Sequence, residues 1–342
     1  MFNADRNRQI FFARRPDGPP TADVFGQRDV EVPVAGEGEL LCRNIAMSID
    51  PYLRLKMYDR RSYTPPLKID ELIPGRNIAV VVESRAPGYS AGDHVAVSSG
   101  WQDFAVVRAR AAKKVDLAAA SAGAWLGPLG MTGMTAYTSL FDIGKPRADE
   151  TLVVSGAAGA VGSVVGQIGK ALGCRVVGIA GGEEKCAVVA GEFGFDACVN
   201  YRAADFEARL AKEIGGGCDI YFDNVGGAIS RSVIGHFNDF GRMIVCGLIS
   251  QYSGQQAAEA TAHDELFRLV LTRRLTVRGF IVSDFAPDAF PNFESDMNGW
   301  LRDGKVVFRE HTHSGFDRIV PAFMDMLSGG NTGKTIVHVG DE

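Results

Sequence analysis

Residues Leu152 to Leu172 read LVVSGAAGAVGSVVGQIGKAL. Leu152, Val153, Val154 and Ser155 have the pattern of a short buried strand. Gly156, Gly159 and Gly162 follow at intervals of three. Val161, Val164, Val165, Ile168 and Leu172 then recur three and four apart, which gives a helix one apolar stripe to lay on a sheet. Strand, glycine turn and helix together open a nucleotide-binding βαβ unit. The glycines permit a sharp turn and close approach to a pyrophosphate, whose charge is met by the free N–H groups of the helix start. The spacing is GxxGxxG rather than the commoner GxGxxG. Alone, it fits equally a Gly/Ala-rich helix packed tightly on its strand.

The surrounding chain separates these readings. Cys174–Ala180 (CRVVGIA) is a second strand at the ~20-residue separation expected of such a unit. Strand-like runs follow at Asp196–Tyr201, Asp219–Asp223, Arg242–Gly247 and Leu275–Val282, with helical patterns between most of them. That alternation predicts an α/β doubly wound parallel sheet, a Rossmann domain.

An NAD site usually carries Asp or Glu at the end of the second strand, where it binds the adenosine ribose. Here the strand ends in Ala180, Gly181 and Gly182, and Lys185 follows. Small residues leave room for a 2′-phosphate, with Lys185 and Tyr201 as donors, so NADPH is the expected cofactor. Two hydrogen bonds to a charged group, at roughly 1.5–3 kcal/mol each, favour NADPH by about a hundredfold or more. The counter-reading gives the ribose to Glu183 or Glu184 and leaves Lys185 as a solvated helix residue.

At 342 residues the chain exceeds one comfortable core, so two domains are expected. A net charge of −5 without any long basic run argues against nucleic acid. No signal-like or 18-residue apolar span occurs, which argues against a membrane and points to the cytoplasm. Cys42, Cys174, Cys186, Cys198, Cys218 and Cys246 are scattered without a CxxC pair, the usage of a reducing compartment.

Residues 1–126 read as mostly β. Strands are expected at Ile10–Arg14, Glu39–Ser48 and Ile78–Ser84, and a hairpin of Asp93–Ser98 with Trp101–Val107 around Ser99–Gly100. Short strands joined by glycine turns suggest a small barrel. The cofactor domain then occupies 127–302. After it come a strand at Lys305–Thr312, a helix at Ile319–Leu327 and a strand at Thr335–Val339, so 303–342 should rejoin the β domain. Gly329–Thr335 imitates a P-loop but carries Ser328 where that motif needs glycine, and a strand follows it.

The runs AAGAVGSVVGQIGKALGC, GGEEK, FDNVGG and CGLISQY resemble the zinc-independent branch of the medium-chain dehydrogenase/reductases. Within it they resemble the prostaglandin reductase (leukotriene hydroxydehydrogenase) group and its bacterial curcumin and alkenal reductase relatives. MSIDPYLR (47–54), GMTGMTAY (130–137), GFIV (279–282) and NTGKT (331–335) match in the same order. The resemblance implies NADPH-dependent reduction of the carbon–carbon double bond of enones and enals. It also implies a GroES-like barrel catalytic domain built from both chain ends, and a homodimer formed through edge strands of the cofactor domains.

Carried over motif by motif, phosphate contacts fall on Gly156, Gly159, Ala160, Val161 and Gly162, and the 2′-phosphate on Lys185 and Tyr201. Nicotinamide and ribose contacts fall on Asn224, on Cys246, Gly247, Ile249 and Tyr252, on Phe280 and Val282, and on Asn331. Thr132 stands where relatives often have proline, and Gly182 where some have serine.

Zinc alcohol dehydrogenases of the superfamily use a cysteine and a Gly-His-Glu segment. The corresponding stretches here, Met47–Pro51 and Gly75–Ile78, contain neither cysteine nor histidine. His311 and His313 alternate on a strand beside Glu310, but the sequence offers no third ligand nearby, so a solvated strand face is expected. Without a metal, enone reduction needs alignment, stabilisation of the enolate oxygen and a proton for the α-carbon. Tyr252 is the first candidate for positioning or proton supply, and Tyr52 the second, more suited to binding substrate. Either is also readable as an aromatic wall. Tyr63 and 252–262 are expected to border the opening for a hydrophobic substrate. A quinone reductase of the same superfamily, or a non-catalytic NADPH-binding protein, remain the alternatives.

Overall fold

The computed structural model describes residues 6–59, 62–251, 266, 269–270, 272–285 and 290–340. The chain divides into two compact units, 1–126 with 310–342, and 127–309. The first unit begins with β1 (Arg6–Phe12), β2 (Phe25–Glu31), β3 (Glu39–Ser48), β4 (Arg76–Ser84), β5 (His94–Ser98), β6 (Phe104–Arg108) and β7 (Lys113–Lys114). The second holds β8 (Thr151–Ser155), β9 (Arg175–Ala180), β10 (Ala197–Asn200), β11 (Cys218–Asp223), β12 (Phe237–Val245) and β13 (Thr276–Gly279). The chain returns to the first with β14 (Glu310–Ser314) and β15 (Lys334–His338). Helices in chain order are α1 (Leu53–Lys56), α2 (Ala122–Leu126), α3 (Met131–Ser139), α4 (Gly162–Ala171), α5 (Glu183–Gly191), α6 (Phe206–Ile214), α7 (Gly227–Ile234), α8 (Phe293–Arg302) and α9 (Ile319–Ser328).

In the first unit the long strand β3 serves three neighbours. β4 runs antiparallel along one edge, while β6 and β15 share the other in succession. Sharing an edge in this way bends the sheet round a core in which Phe25, Trp101 and Phe323 meet with ring centroids 5.7–5.9 Å apart. The expected hairpin at Ser99–Gly100 does not form. β5 pairs with β4 and β7, whereas β6 pairs with β3. The cause is Trp101, which is fully buried. Asn77 donates to Gly100 O at 2.7 Å and Asn44 to Gln102 O at 2.6 Å, drawing the connection across the core rather than back on itself.

Among its described residues the second unit carries six parallel strands in the order β10-β9-β8-β11-β12-β13, the doubly wound arrangement expected of a Rossmann domain. Its central helix α4 is buried from Gly162 through Gly169 and not along one stripe alone. Gln167 explains the second buried face: its Nε2 donates to Val307 O at 2.8 Å and its Oε1 accepts from Val307 N at 2.7 Å. Arg309 pairs with Glu192 at 3.1 Å. These contacts fasten residues 303–309 to the second unit, so the chain crosses at 310 rather than 303. The strand expected from Lys305 begins only at Glu310.

Candidate functional site

The order of the parallel sheet reverses between β8 and β11, and in such sheets ligands sit beyond the carboxyl ends of the strands at that point. β8 delivers Gly156 there with φ +62°. A Cβ on residue 162 would lie 2.3 Å from the Gly156 carbonyl oxygen, so only glycine lets α4 start this close to the strand end. Ala160, Val161 and Gly162 therefore form a tight turn whose N–H groups belong to a helix start.

Asp223 organises the other lip. Its Oδ1 accepts from Ser155 Oγ (2.9 Å), Tyr221 Oη (2.9 Å), Val225 N (3.0 Å) and Gly226 N (2.9 Å), and Ser230 Oγ donates to its Oδ2. Asn224 is held in turn: its N donates to Ser155 Oγ at 2.9 Å and its Nδ2 to Ser155 O at 2.7 Å. Cys246 N and Gly247 N both donate to Asp223 O, at 2.9 and 3.1 Å, and Ile249 N reaches Asn224 O at 3.4 Å. The structure thus brings Gly156, Asn224, Cys246, Gly247 and Ile249 to one edge of the sheet. Burial, reinforced by the Asp223 charge, pushes the Cys246 thiol up to about 12. Phe280 and Val282 follow β13, whose Gly279 pairs with Val245.

At the end of β9, a Cβ on residue 181 would lie 2.8 Å from the Tyr201 hydroxyl. The ring of Tyr201 occupies the space that a side chain at position 181 would need. Gly182, with φ +111°, then turns into α5, on which Lys185 is half-buried. Glu183 is engaged elsewhere: its Oε1 accepts from Asn200 Nδ2 at 3.0 Å and from Arg209 at 3.3 Å. Those bonds hold its carboxyl below the usual range. Lys185 and Tyr201 are the residues here that could hold a 2′-phosphate.

Sequence reasoning missed two residues here. Asn200 Oδ1 accepts from Gly182 N at 2.8 Å and from Arg202 N at 3.0 Å, so it shapes both loops. The Arg202 guanidinium lies 5.7 Å from the Tyr201 ring centroid and adds a second cation. A basic residue directly after a strand-end tyrosine was the available signal.

In the first unit, Lys334 Nζ donates to Asp50 Oδ1 at 2.8 Å and to Ile49 O at 2.9 Å, tying the NTGKT loop to the DPYLR loop. Asn331 Nδ2 donates to Gly333 O at 3.0 Å. Arg54 is fully buried and donates to Gly18 O and Tyr58 Oη. Tyr52 packs against the core cluster that includes Met47, Ile49 and Trp101. Burial first, and Asp50 second, push its phenol up to about 12 against the opposing Arg76. Tyr63 is 53% exposed. Tyr252 and 253–262 lie outside the described residues. Thr132 donates its hydroxyl to Gly127 O at 2.8 Å and so closes the loop before α3.

A family profile described as the N-terminal domain of oxidoreductase matches residues 8–115, and one described as zinc-binding dehydrogenase matches 160–298. The chain is 40% identical over 339 residues to the NADPH-dependent curcumin reductase of Escherichia coli, covering 98% of each. It is 37% identical over 327 residues to prostaglandin reductase 1 of Rattus norvegicus, covering 94% of this chain and 95% of that one. The crystal structure of CurA in complex with NADPH from Vibrio vulnificus superposes with a TM-score of 0.94 at 41% identity, covering 98% of this chain and all of the other. The chain belongs to the zinc-independent medium-chain dehydrogenase/reductases, in the group of the curcumin and prostaglandin reductases.

Proposed function

We propose that this NADPH-dependent oxidoreductase reduces the carbon–carbon double bond of α,β-unsaturated ketones and aldehydes. One observation carries the reading: 40% identity with a curcumin reductase across 98% of both chains. NADPH, when bound, supplies the hydride that the β-carbon of the enone receives.

The chain's own part is to bind, orient and exclude water. Gly159, Ala160, Val161 and Gly162 hold the pyrophosphate by backbone N–H groups, and Lys185 and Tyr201 hold the 2′-phosphate. Asn224, Cys246, Gly247, Ile249, Phe280, Val282 and Asn331 border the ribose and nicotinamide. Tyr52 binds the hydrophobic substrate, with Tyr63 at the opening, and Tyr252 positions it or supplies the proton to the α-carbon. We also assign the protein to the cytoplasm and to a homodimer. All six cysteines are free thiols, and among the described residues no helix is long and apolar enough to cross a membrane. β13 is an exposed strand at the sheet edge, the kind of edge a second copy can cover.

Loss of NADPH absorbance against a panel of alkenals, cyclic enones, dienones and quinones tests the activity. Turnover of conjugated carbonyls, with saturated products recovered, supports the reading. Turnover of quinones alone would make it a quinone reductase, and NADPH binding without any oxidation a non-catalytic protein.

A further inference from the structure

We propose that His311, His313 and Asp325 form a binding site for one divalent transition-metal ion of the zinc class. The two histidines alternate along β14, the edge strand of the first unit's sheet, and so stand on one face. Their register partners on β15 are Thr335 and Val337. Val337 is buried in the cluster that contains Ile319, Phe323 and Met326 of α9, so this face is the one the helix covers. Asp325 reaches it from α9, its Oδ2 3.3 Å from His311 Nε2. This third ligand lies on another element, fourteen residues after His311 and twelve after His313, and no strand or helix spacing links it to them. The expected solvated strand face is instead half-buried.

The three residues each offer one ligand atom, all within 4.8 Å of one another. At bond lengths of roughly 2.0–2.1 Å, ligands around a tetrahedral zinc stand about 3.3 Å apart. The His311–Asp325 pair already has that separation, and the remaining adjustment is small side-chain rotation. The imidazole rings lie 5.0 Å apart at 65°, so they do not stack flat against each other.

Two further observations support a cation at this place. Nε2 of His313 is buried with no hydrogen-bond partner among the described residues, and so is Oγ1 of Thr335 beside His311. Gly330 leaves the carboxylate its place: a Cβ there would lie 2.0 Å from Asp325 Oδ1. Glu310 is not a ligand, because it turns to Ser121 on the other face at 3.1 Å. Two imidazoles and one carboxylate leave a fourth position for water.

Calorimetric titration of the metal-free full chain with zinc chloride, and with cobalt chloride followed by its visible spectrum, tests the site. One ion per chain is expected, with a raised melting temperature and a tetrahedral cobalt spectrum lacking a thiolate charge-transfer band. His311→Ala and Asp325→Asn should each weaken binding at least tenfold while leaving metal-free NADPH-dependent turnover unchanged. His311 and Asp325 side chains are 33% and 42% exposed, so both variants should fold, which circular dichroism checks. Failure of the wild type to bind, wild-type affinity in either variant, or a thiolate band on the bound cobalt would each overturn the proposal.

Discussion

Ser155 Oγ donates to Asp223 Oδ1 at 2.9 Å, joining the carboxyl ends of β8 and β11 across the point where the strand order reverses. The same hydroxyl accepts from Asn224 N, so one side chain fixes both lips of the candidate cofactor crevice. Ser155→Ala takes a donor from the buried Asp223 carboxylate and the acceptor from the part-buried Asn224 amide, at a cost of roughly 1–3 kcal/mol. Chemical denaturation should show that loss, and the KM for NADPH should rise with it. Unchanged stability would mean that the clamp is dispensable.

Gly162→Ala places a Cβ 2.3 Å from a backbone oxygen, which cannot step aside as a flexible side chain would. Overpacking of this kind costs about 1–3 kcal/mol. The displaced turn should weaken NADPH binding by about tenfold or more, since each 1.4 kcal/mol is tenfold. Gly191→Ala is the control, because a Cβ there meets nothing within 4 Å. Equal NADPH affinities in the two variants would remove Gly162 from the cofactor turn.

Legibility followed the range of the interaction. The stretch around Gly156–Gly162 was readable because strand, turn and helix are contiguous and each leaves a local pattern. β2 was not, since FGQRDVE contains no fully buried position. The hairpin reading failed at Trp101, whose burial depends on Phe25 and Phe323, far away in the chain. Gln167 looked like a polar interruption of an apolar helix, and only its pairing with Val307 shows why a polar residue is needed there. At the candidate site, the missing carboxylate drew attention to Lys185, whereas Asn200 acts through backbone groups that no spacing reveals.

Lys185→Ala tests the 2′-phosphate assignment. A lost hydrogen bond to a charged group is worth roughly 1.5–3 kcal/mol, or about tenfold to a hundredfold in affinity. The KM for NADPH should rise by that factor while the KM for NADH barely moves. Equal effects on both cofactors would refute the assignment and return the ribose to Glu183 or Glu184.

Tyr52 is expected to bind rather than react. With its phenol held up at about 12, chiefly by burial, it stays protonated throughout the range in which the enzyme can be assayed. Tyr52→Phe should therefore raise the KM for enones, with a change in kcat well short of the roughly 10²–10⁴-fold that a proton donor supplies. A loss in that range at unchanged KM would make Tyr52 the donor.

Glu150, at the start of β8, accepts from Arg242 at 2.6 and 2.9 Å and from Arg147 N at 2.9 Å. Burial alone would raise its pKa, but these bonds outweigh it and hold the carboxyl below the ordinary value of 4.5. A group whose folded pKa is depressed stabilises the fold above its unfolded pKa and loses that contribution as pH falls through the folded one. At neutral pH, Glu150→Gln should cost about 1.5–3 kcal/mol, the worth of hydrogen bonds to a charged group, because both side chains are mostly buried. Below about pH 4.5 the stabilities of wild type and variant should draw together, which denaturant midpoints measured across pH will show. A difference that stays constant down to acid pH would mean that shape, and not the carboxylate charge, is what Arg242 requires.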